Sequence, residues 1–183
     1  MTATRRGTDG AAAPQHADEA VILVHGFWTP AAVFLPHVHW LGQQGYRVRR
    51  FGYPSVRATL SENAQALQRF LATTEVPAIH LVGHSLGGRI ILEMLAERAD
   101  PRLRRVVLLG TPCLGSHCAR RLGDTGGDAG AAWPIDHGDP VACPLRDHCA
   151  AFASPVEIGV LAGTRSIGLG RLVLDRPRPN AAW

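Results

Sequence analysis

Five short apolar runs alternate with segments that have helical spacing or loop-forming composition. The runs are AVILVHG from residue 20, YRVRRFGY from 46, AIHLVGH from 78, RVVLLG from 105 and VEIGVLAG from 156. This alternation is typical of a parallel sheet with helices on both faces. We therefore predict an α/β fold with a mostly parallel sheet of about five to six strands.

Three of the intervening segments carry helix signals. Pro30 suits the first turn of one helix, and Thr59 with Glu62 forms a capping-box pattern at the start of another. Apolar or partly apolar residues recur at helical spacing at Val33, Phe34, His37, Val38 and Leu41, at Leu60, Ala64, Leu67 and Leu71, and at Ile90, Ile91, Met94 and Leu95. Each connection then reads as a strand, a crossover and a parallel strand.

The sequence LVGHSLGGRI places one serine at a sharp turn between a strand and a helix. Gly83, His84, Ser85, Leu86 and Gly87 match the G-x-S-x-G nucleophile elbow. Small residues on either side of the serine let neighbouring segments pack close to a strained turn. The pattern predicts a Ser85 hydroxyl that stands clear at the carboxyl end of a strand, where open parallel sheets bind ligands.

Such a serine needs donors for a developing oxyanion. The backbone N–H of Leu86, at the positive end of the following helix, would be one. The first apolar run ends in His25, Gly26 and Phe27, and the N–H of Phe27 could be the second. Phe27, Trp28 and Phe34 could line an acyl pocket or equally belong to the core.

At the level of whole segments, the chain resembles the α/β-hydrolase superfamily, and within it small bacterial lipase and esterase-like proteins. The segments that carry the resemblance are VHGFW, FGYPSVRATLSENA, HLVGHSLGGRI, LLGTPCLGS and VLAGTRSIGLGRL, and they span roughly residues 20–180. The resemblance implies Ser85 as nucleophile, Leu86 and Phe27 as oxyanion donors, and hydrolysis of a small-molecule acyl ester through an acyl-enzyme. It implies no cofactor.

The base and its orienting acid are harder to find. In this superfamily they follow the serine in the order Asp or Glu, then His. The chain stops three residues after Pro179 and Asn180, where the resemblance places the acid, so we expect a C-terminally truncated fold without its last strand and helix. Asp175 could be a displaced acid or a surface charge, and three upstream histidines are weak candidates for the base: His117, His137 and His148.

Two functions of different classes follow. The first is an ester hydrolase whose turnover is weak or absent in this chain. The second is a non-catalytic protein that keeps the fold to bind an acyl-like ligand or a partner. Neither His84, which should point away from Ser85, nor His80, which should be packed in its strand, is expected to serve as the base.

Composition limits the remaining options. All 19 basic residues are arginines and the net charge is +4, but the arginines are scattered, so we expect no nucleic-acid surface. No apolar run suits a signal peptide or a membrane span, so a cytoplasmic protein is expected. Residues 1–19 read as a disordered tail and 20–183 as one domain, in which 113–153 are a cap-like or loop excursion.

Two further expectations concern this excursion and the edge of the sheet. The four cysteines match no common zinc spacing and are predicted to be free thiols, with no metal site: Cys113, Cys118, Cys143 and Cys149. Without the last strand, residues 156–161 would present an uncovered edge with apolar side chains. Self-association through that edge is therefore predicted.

Overall fold

The computed structural model describes residues 16–112 and 156–163. The elements are β1 (Glu19–Val24), a 3-10 helix (Ala31–Phe34), α1 (Leu35–Gln43), β2 (Arg47–Phe51), α2 (Leu60–Ala72), β3 (Ala78–His84), α3 (Leu86–Glu97), β4 (Leu103–Leu109) and β5 (Glu157–Leu161). Several predictions fall outside the described residues: the tail up to residue 15, the 113–153 excursion with its four cysteines and three histidines, and Asp175.

The described strands form one five-stranded parallel sheet in the order β2-β1-β3-β4-β5. The predicted α/β class and the predicted sheet are therefore confirmed. Because all the strands run in one direction, the carboxyl ends of β1, β3 and β4 lie side by side at one end of the sheet. An open parallel sheet carries its ligand site at this carboxyl end.

Helices cover both faces of the sheet, as predicted. Ala20, Ile22 and Val24 of β1 belong to a large buried cluster that includes the apolar faces of α2 and α3. Val21 and Leu23 belong to a second cluster on the opposite face, because successive side chains of a strand alternate. Strand β1 is thus buried on both sides, which explains its unbroken apolar sequence.

The first helix differs from the prediction. A single α-helix was expected from Pro30, but the chain forms a 3-10 helix over Ala31–Phe34 and the α-helix begins at Leu35. Pro36 explains the break, because a proline ring is tolerated only in the first turn of an α-helix. Val33 is 46% exposed, so the predicted apolar side is only partly buried.

The second helix begins where its sequence predicted. The Thr59 hydroxyl accepts a hydrogen bond from the N–H of Glu62 at 3.2 Å, and the Thr59 N–H donates to the Glu62 carboxylate at 2.8 Å. These bonds satisfy two amide groups that the first helical turn leaves open. The Thr59 N–H and then the Thr59 hydroxyl, which both donate to the Glu62 carboxylate, hold the pKa of Glu62 below its ordinary value. Ala64, Leu67 and Leu71 are buried as expected.

The described chain begins with a polar cluster at the amino end of the sheet. Strand β1 starts at Glu19, within the predicted tail, and its carboxylate bonds to His16 at 2.9 Å and to His80 at 2.7 Å. The His16 ring stacks on Tyr46 at 4.1 Å. His80 is thus packed in its strand as predicted, at the end of the sheet opposite Ser85. Hydrogen bonds from His16 and then His80 lower the pKa of Glu19.

The Glu19 cluster gives a pH-dependent stability. A carboxyl group whose pKa is lower in the folded than in the unfolded chain stabilises the fold when it is ionised. For Glu19 this stabilisation is complete above the unfolded pKa, near 4.5, and is lost as the pH falls through the lower pKa of the folded chain. Glu19→Gln should therefore lower the free energy of unfolding at neutral pH by less than about 1 kcal/mol. The difference should vanish in acid. Urea unfolding at several pH values measures this, with the exposed Glu75→Gln as control. A deficit that persists in acid would contradict the prediction.

Strand β5 lies at one edge of the described sheet. Its residues Val160 and Leu161 are 54% and 59% exposed, in keeping with the apolar edge expected from the sequence. Self-association through this edge stays a prediction.

Candidate active site

A single residue, Ser85, separates β3 from α3. Its backbone has φ 52° and ψ −118°, a combination that L-residues rarely adopt. The Ser85 N–H donates to the carbonyl of Leu109 in β4 at 2.9 Å, and its carbonyl accepts from the N–H of Gly88 at 3.1 Å. The chain therefore enters α3 through a turn fixed on both sides. A non-glycine residue held in such a region costs about 1–3 kcal/mol and persists where the surroundings enforce it.

The glycines beside Ser85 are required by close contacts. A Cβ atom on Gly87 would lie 2.2 Å from the carbonyl oxygen of Val24. One on Gly83 would lie 2.6 Å from the Cα of Gly88. Both contacts are with backbone that cannot move cheaply. The glycines therefore let the start of α3 press against the ends of β1 and β3, which sets the position of the serine.

The loop after β1 passes directly beside the serine. A Cβ on Gly26 would lie 3.1 Å from the Ser85 Cβ and 2.9 Å from the Nδ1 of His84. Phe27, whose N–H was predicted as an oxyanion donor, is the next residue. The structure thus brings the segment that contains Phe27 to the same place as Ser85 and Leu86.

Tyr53 holds this loop in place, a role that the sequence analysis missed. Its hydroxyl donates to the carbonyl of His25 at 2.6 Å, and the two rings stack at 4.3 Å. Burial raises the pKa of Tyr53 far above its ordinary value, so the hydroxyl stays a donor. Nδ1 of His25 lies 2.8 Å from the carbonyl oxygen of Gly26. Tyr53 belongs to the FGYPSV segment, which carried part of the family resemblance. That segment was the only signal in the sequence for this role of Tyr53.

The candidate pocket residues separate into two groups. Trp28 is 65% exposed, has a positive φ of 52° and tilts against Phe27 with ring centres 4.8 Å apart. Phe34 is 2% exposed and packs with Val21 and Leu23 in the second core cluster. The core alternative is therefore what the structure shows for Phe34, whereas Trp28 stands on the surface two residues beyond Gly26.

His84 lies next to the serine without bonding to it. Burial, and then the nearby charge of His25, lower the pKa of His84. Its Nδ1 faces Gly26 and, in the part of the chain that the structure describes, has no hydrogen-bond partner. Within residues 16–112 and 156–163, no side chain hydrogen bonds to the Ser85 hydroxyl.

Comparison with known proteins identifies the family of the chain. The model of the alpha/beta hydrolase family matches residues 21–183. The chain belongs to this family. No curated protein shows significant similarity to the sequence.

Solved structures share the hydrolase fold at low identity. A lipase from Bacillus licheniformis in its mature form is 18% identical with a TM-score of 0.59, and the match covers 88% of this chain and 72% of the lipase. A lipase-esterase related protein from Clostridium acetobutylicum is 19% identical with a TM-score of 0.54, over 78% of this chain and 74% of that one. A metagenomic carboxyl esterase is 21% identical with a TM-score of 0.57, over 88% and 55%.

Neither a cluster of metal ligands nor a membrane-spanning helix occurs in the described part of the chain. Among residues 16–112 and 156–163, no three His, Cys, Asp or Glu side chains come together as metal ligands. None of the helices in that part has the length and apolar content to cross a membrane.

The strained backbone of Ser85 predicts an unusual stability effect in this hydrolase fold. Glycine adopts a positive φ freely, so Ser85→Gly should raise the free energy of unfolding by about 1 kcal/mol relative to Ser85→Ala. Both variants remove the hydroxyl, so the comparison isolates the backbone. Urea denaturation of the two variants measures the difference. Equal stability would show that the turn stores no strain.

Proposed function

We propose that this chain is a serine hydrolase of carboxylic esters with Ser85 as its nucleophile. The observation that supports this most is the backbone of Ser85, which has a positive φ between β3 and α3 at the carboxyl edge of the sheet. A strained turn of this kind is costly, and such turns cluster at functional sites. The lipase and esterase relatives share the fold, which fits the proposal.

The proposed reaction has two steps. In the first, the Ser85 oxygen attacks the ester carbonyl carbon and the bond to the alcohol oxygen breaks, so that the alcohol leaves with the serine proton. The backbone N–H groups of Leu86 and Phe27 donate to the oxyanion that forms in between, and the positive end of α3 adds to this stabilisation. In the second step, water attacks the acyl carbon and the bond to the Ser85 oxygen breaks, which releases the carboxylic acid and restores the serine hydroxyl.

Exposed aromatic surface suggests where the acyl group lies. Trp28 is largely exposed beside Phe27, so we propose that it borders an apolar acyl site. Phe34 is left out of this site because it belongs to the core.

Turnover is proposed to be slow. No side chain among residues 16–112 and 156–163 hydrogen bonds to the Ser85 hydroxyl. None of these side chains is therefore placed to act as the general base that removes its proton. Loss of the base from a serine site lowers turnover by about 10⁶-fold, and about 10³ to 10⁴-fold catalysis over water remains from the oxyanion hole and binding. The same observation favours the second candidate function, a non-catalytic protein that binds an acyl-like ligand.

Ester acylation separates the two functions. With p-nitrophenyl butyrate, the native chain should slowly release about one equivalent of nitrophenol, because this leaving group needs no protonation, and deacylation of the butyryl group on Ser85 should be slower still. Ser85→Ala should show no such release. Ser61→Ala is the matched control, because its hydroxyl bonds to Glu97 on the helix layer. Saturable binding of the ester with no acylation would favour the non-catalytic function instead.

A further inference from the structure

Three buried polar atoms near the serine have no hydrogen-bond partner in the described part of the chain: Nδ1 of His84, Nη1 of Arg89 and Oγ1 of Thr111. All three residues lie in or next to the turn at Ser85 and the first turn of α3. His84 precedes Ser85, and Arg89 follows it by one helical turn. A Cβ on Gly88 would lie 1.9 Å from the Thr111 hydroxyl oxygen. Buried polar groups are nearly always paired, so three unpaired polar atoms around one turn are suited to bind a polar ligand.

Arg89 is the most unusual of the three. It is 9% exposed, and no acidic side chain in the described residues forms an ion pair with it. Glu93, one turn further along α3, is not its partner, and Glu97 accepts from Ser61 instead. An unpaired buried guanidinium is costly, and an anion that binds beside it removes that cost.

The position of Arg89 on α3 directs it toward the serine. Residues four apart share one face of a helix, and helical side chains lean toward the helix N-terminus. Arg89 therefore lies on the face of α3 that begins at Ser85, and the usual lean of helical side chains would carry its guanidinium toward that turn. Thr111 follows the carboxyl end of β4 and packs against Gly88 in the same first turn of α3. A group held by Arg89 and Thr111 would lie beside the reacting ester.

We propose that Arg89 and Thr111 bind a carboxylate of the substrate, so that the preferred esters carry a free carboxylate a few bonds from the scissile carbonyl. This rests on the proposed esterase function and deepens it. A planar guanidinium matches a carboxylate with two parallel hydrogen bonds, and the Thr111 hydroxyl adds a third donor. The substrates are thus half-esters of short dicarboxylic acids rather than neutral fatty esters.

Two esters of equal length test the preference. Mono-p-nitrophenyl succinate carries a carboxylate where p-nitrophenyl butyrate carries a methyl group. The native chain should be acylated about tenfold or more faster by the succinate ester, because a hydrogen bond to a charged group is lost with butyrate. Arg89→Met, which keeps an apolar side chain of similar length, should bring the ratio to about one. Arg98→Met removes one charge at the exposed far end of the helix and should keep the preference.

A binding measurement separates this inference from the reaction itself. In the Ser85→Ala background, calorimetry should show monomethyl succinate binding about tenfold or more tighter than methyl butyrate, and addition of Arg89→Met should abolish the difference. If this holds while no ester acylates the native chain, the carboxylate site stands and the esterase function fails. Acylation of the native chain by both esters at equal rates, or an unchanged preference in Arg89→Met, overturns the carboxylate site.

Discussion

Gly87→Ala should destabilise the fold by about 3 kcal/mol or more, although alanine is the better helix former by about 1 kcal/mol. The added Cβ would lie 2.2 Å from the carbonyl oxygen of Val24 and 2.5 Å from that of His25. Both are backbone atoms at the carboxyl end of β1, so the contact is relieved only if α3 moves away from the sheet. Such a shift would open the core beneath Leu86 and Ile90.

Gly42→Ala is the matched control for this effect. Gly42 lies in α1, and a Cβ there would meet nothing within 4 Å. The same substitution should therefore stabilise the protein, by about 0.5 kcal/mol. Thermal and urea unfolding of both variants measure the contrast. Similar stabilities for the two would mean that α3 does not press on β1 as the structure has it.

Gly26→Ala should reduce the reactivity of Ser85 by about 10²-fold while the fold persists. The new methyl group would lie 3.1 Å from the Ser85 Cβ and 2.9 Å from the His84 ring. The loop that carries Phe27, or the turn itself, must shift by a few tenths of an ångström or more. The reaction requires the oxyanion donors and the Ser85 oxygen to be correctly placed relative to each other, so displacements of this size reduce its rate.

The control for Gly26→Ala is Gly52→Ala. Gly52 directly follows β2 at the same edge of the sheet, and a Cβ there would meet nothing within 4 Å. The Gly52→Ala variant should be acylated by p-nitrophenyl butyrate at the same rate as the native chain. Circular dichroism confirms that both variants are folded. If Gly26→Ala is acylated as fast as the native chain, the loop after β1 does not contribute to the reactivity of Ser85.

Local signals in the sequence were enough to predict the sheet and the turn. The strand at residues 78–84 and the capping box of Thr59 are encoded by contiguous residues, so periodicity and capping chemistry identify them. The elbow motif was recognisable because the glycines that it needs lie within two or three residues of Ser85. The packing of Gly87 against Val24 explains why those glycines are there.

Features that depend on contacts between distant segments could not be predicted. The apolar spacing around Phe34 is the same for a core residue and a pocket residue, and only its packing on Val21 and Leu23 decides between them. Pro30 and Pro36 each suit the first turn of a helix, and only the folded chain shows that the α-helix begins at the second of them. Arg89 and Thr111 lie 22 residues apart, and the lack of a partner for either is visible only in three dimensions.

Labelling with a fluorophosphonate tests directly whether Ser85 is a nucleophile, because the reagent is electrophilic enough to react with an accessible serine hydroxyl beside oxyanion donors even where no base assists it. The native chain, incubated with excess reagent and analysed by intact mass and peptide mapping, should carry one phosphonyl group on Ser85, and Ser85→Ala should carry none. A chain that unfolds cooperatively yet stays unlabelled after prolonged exposure, or equal labelling of both proteins, would contradict the assignment of residue 85 as a nucleophile.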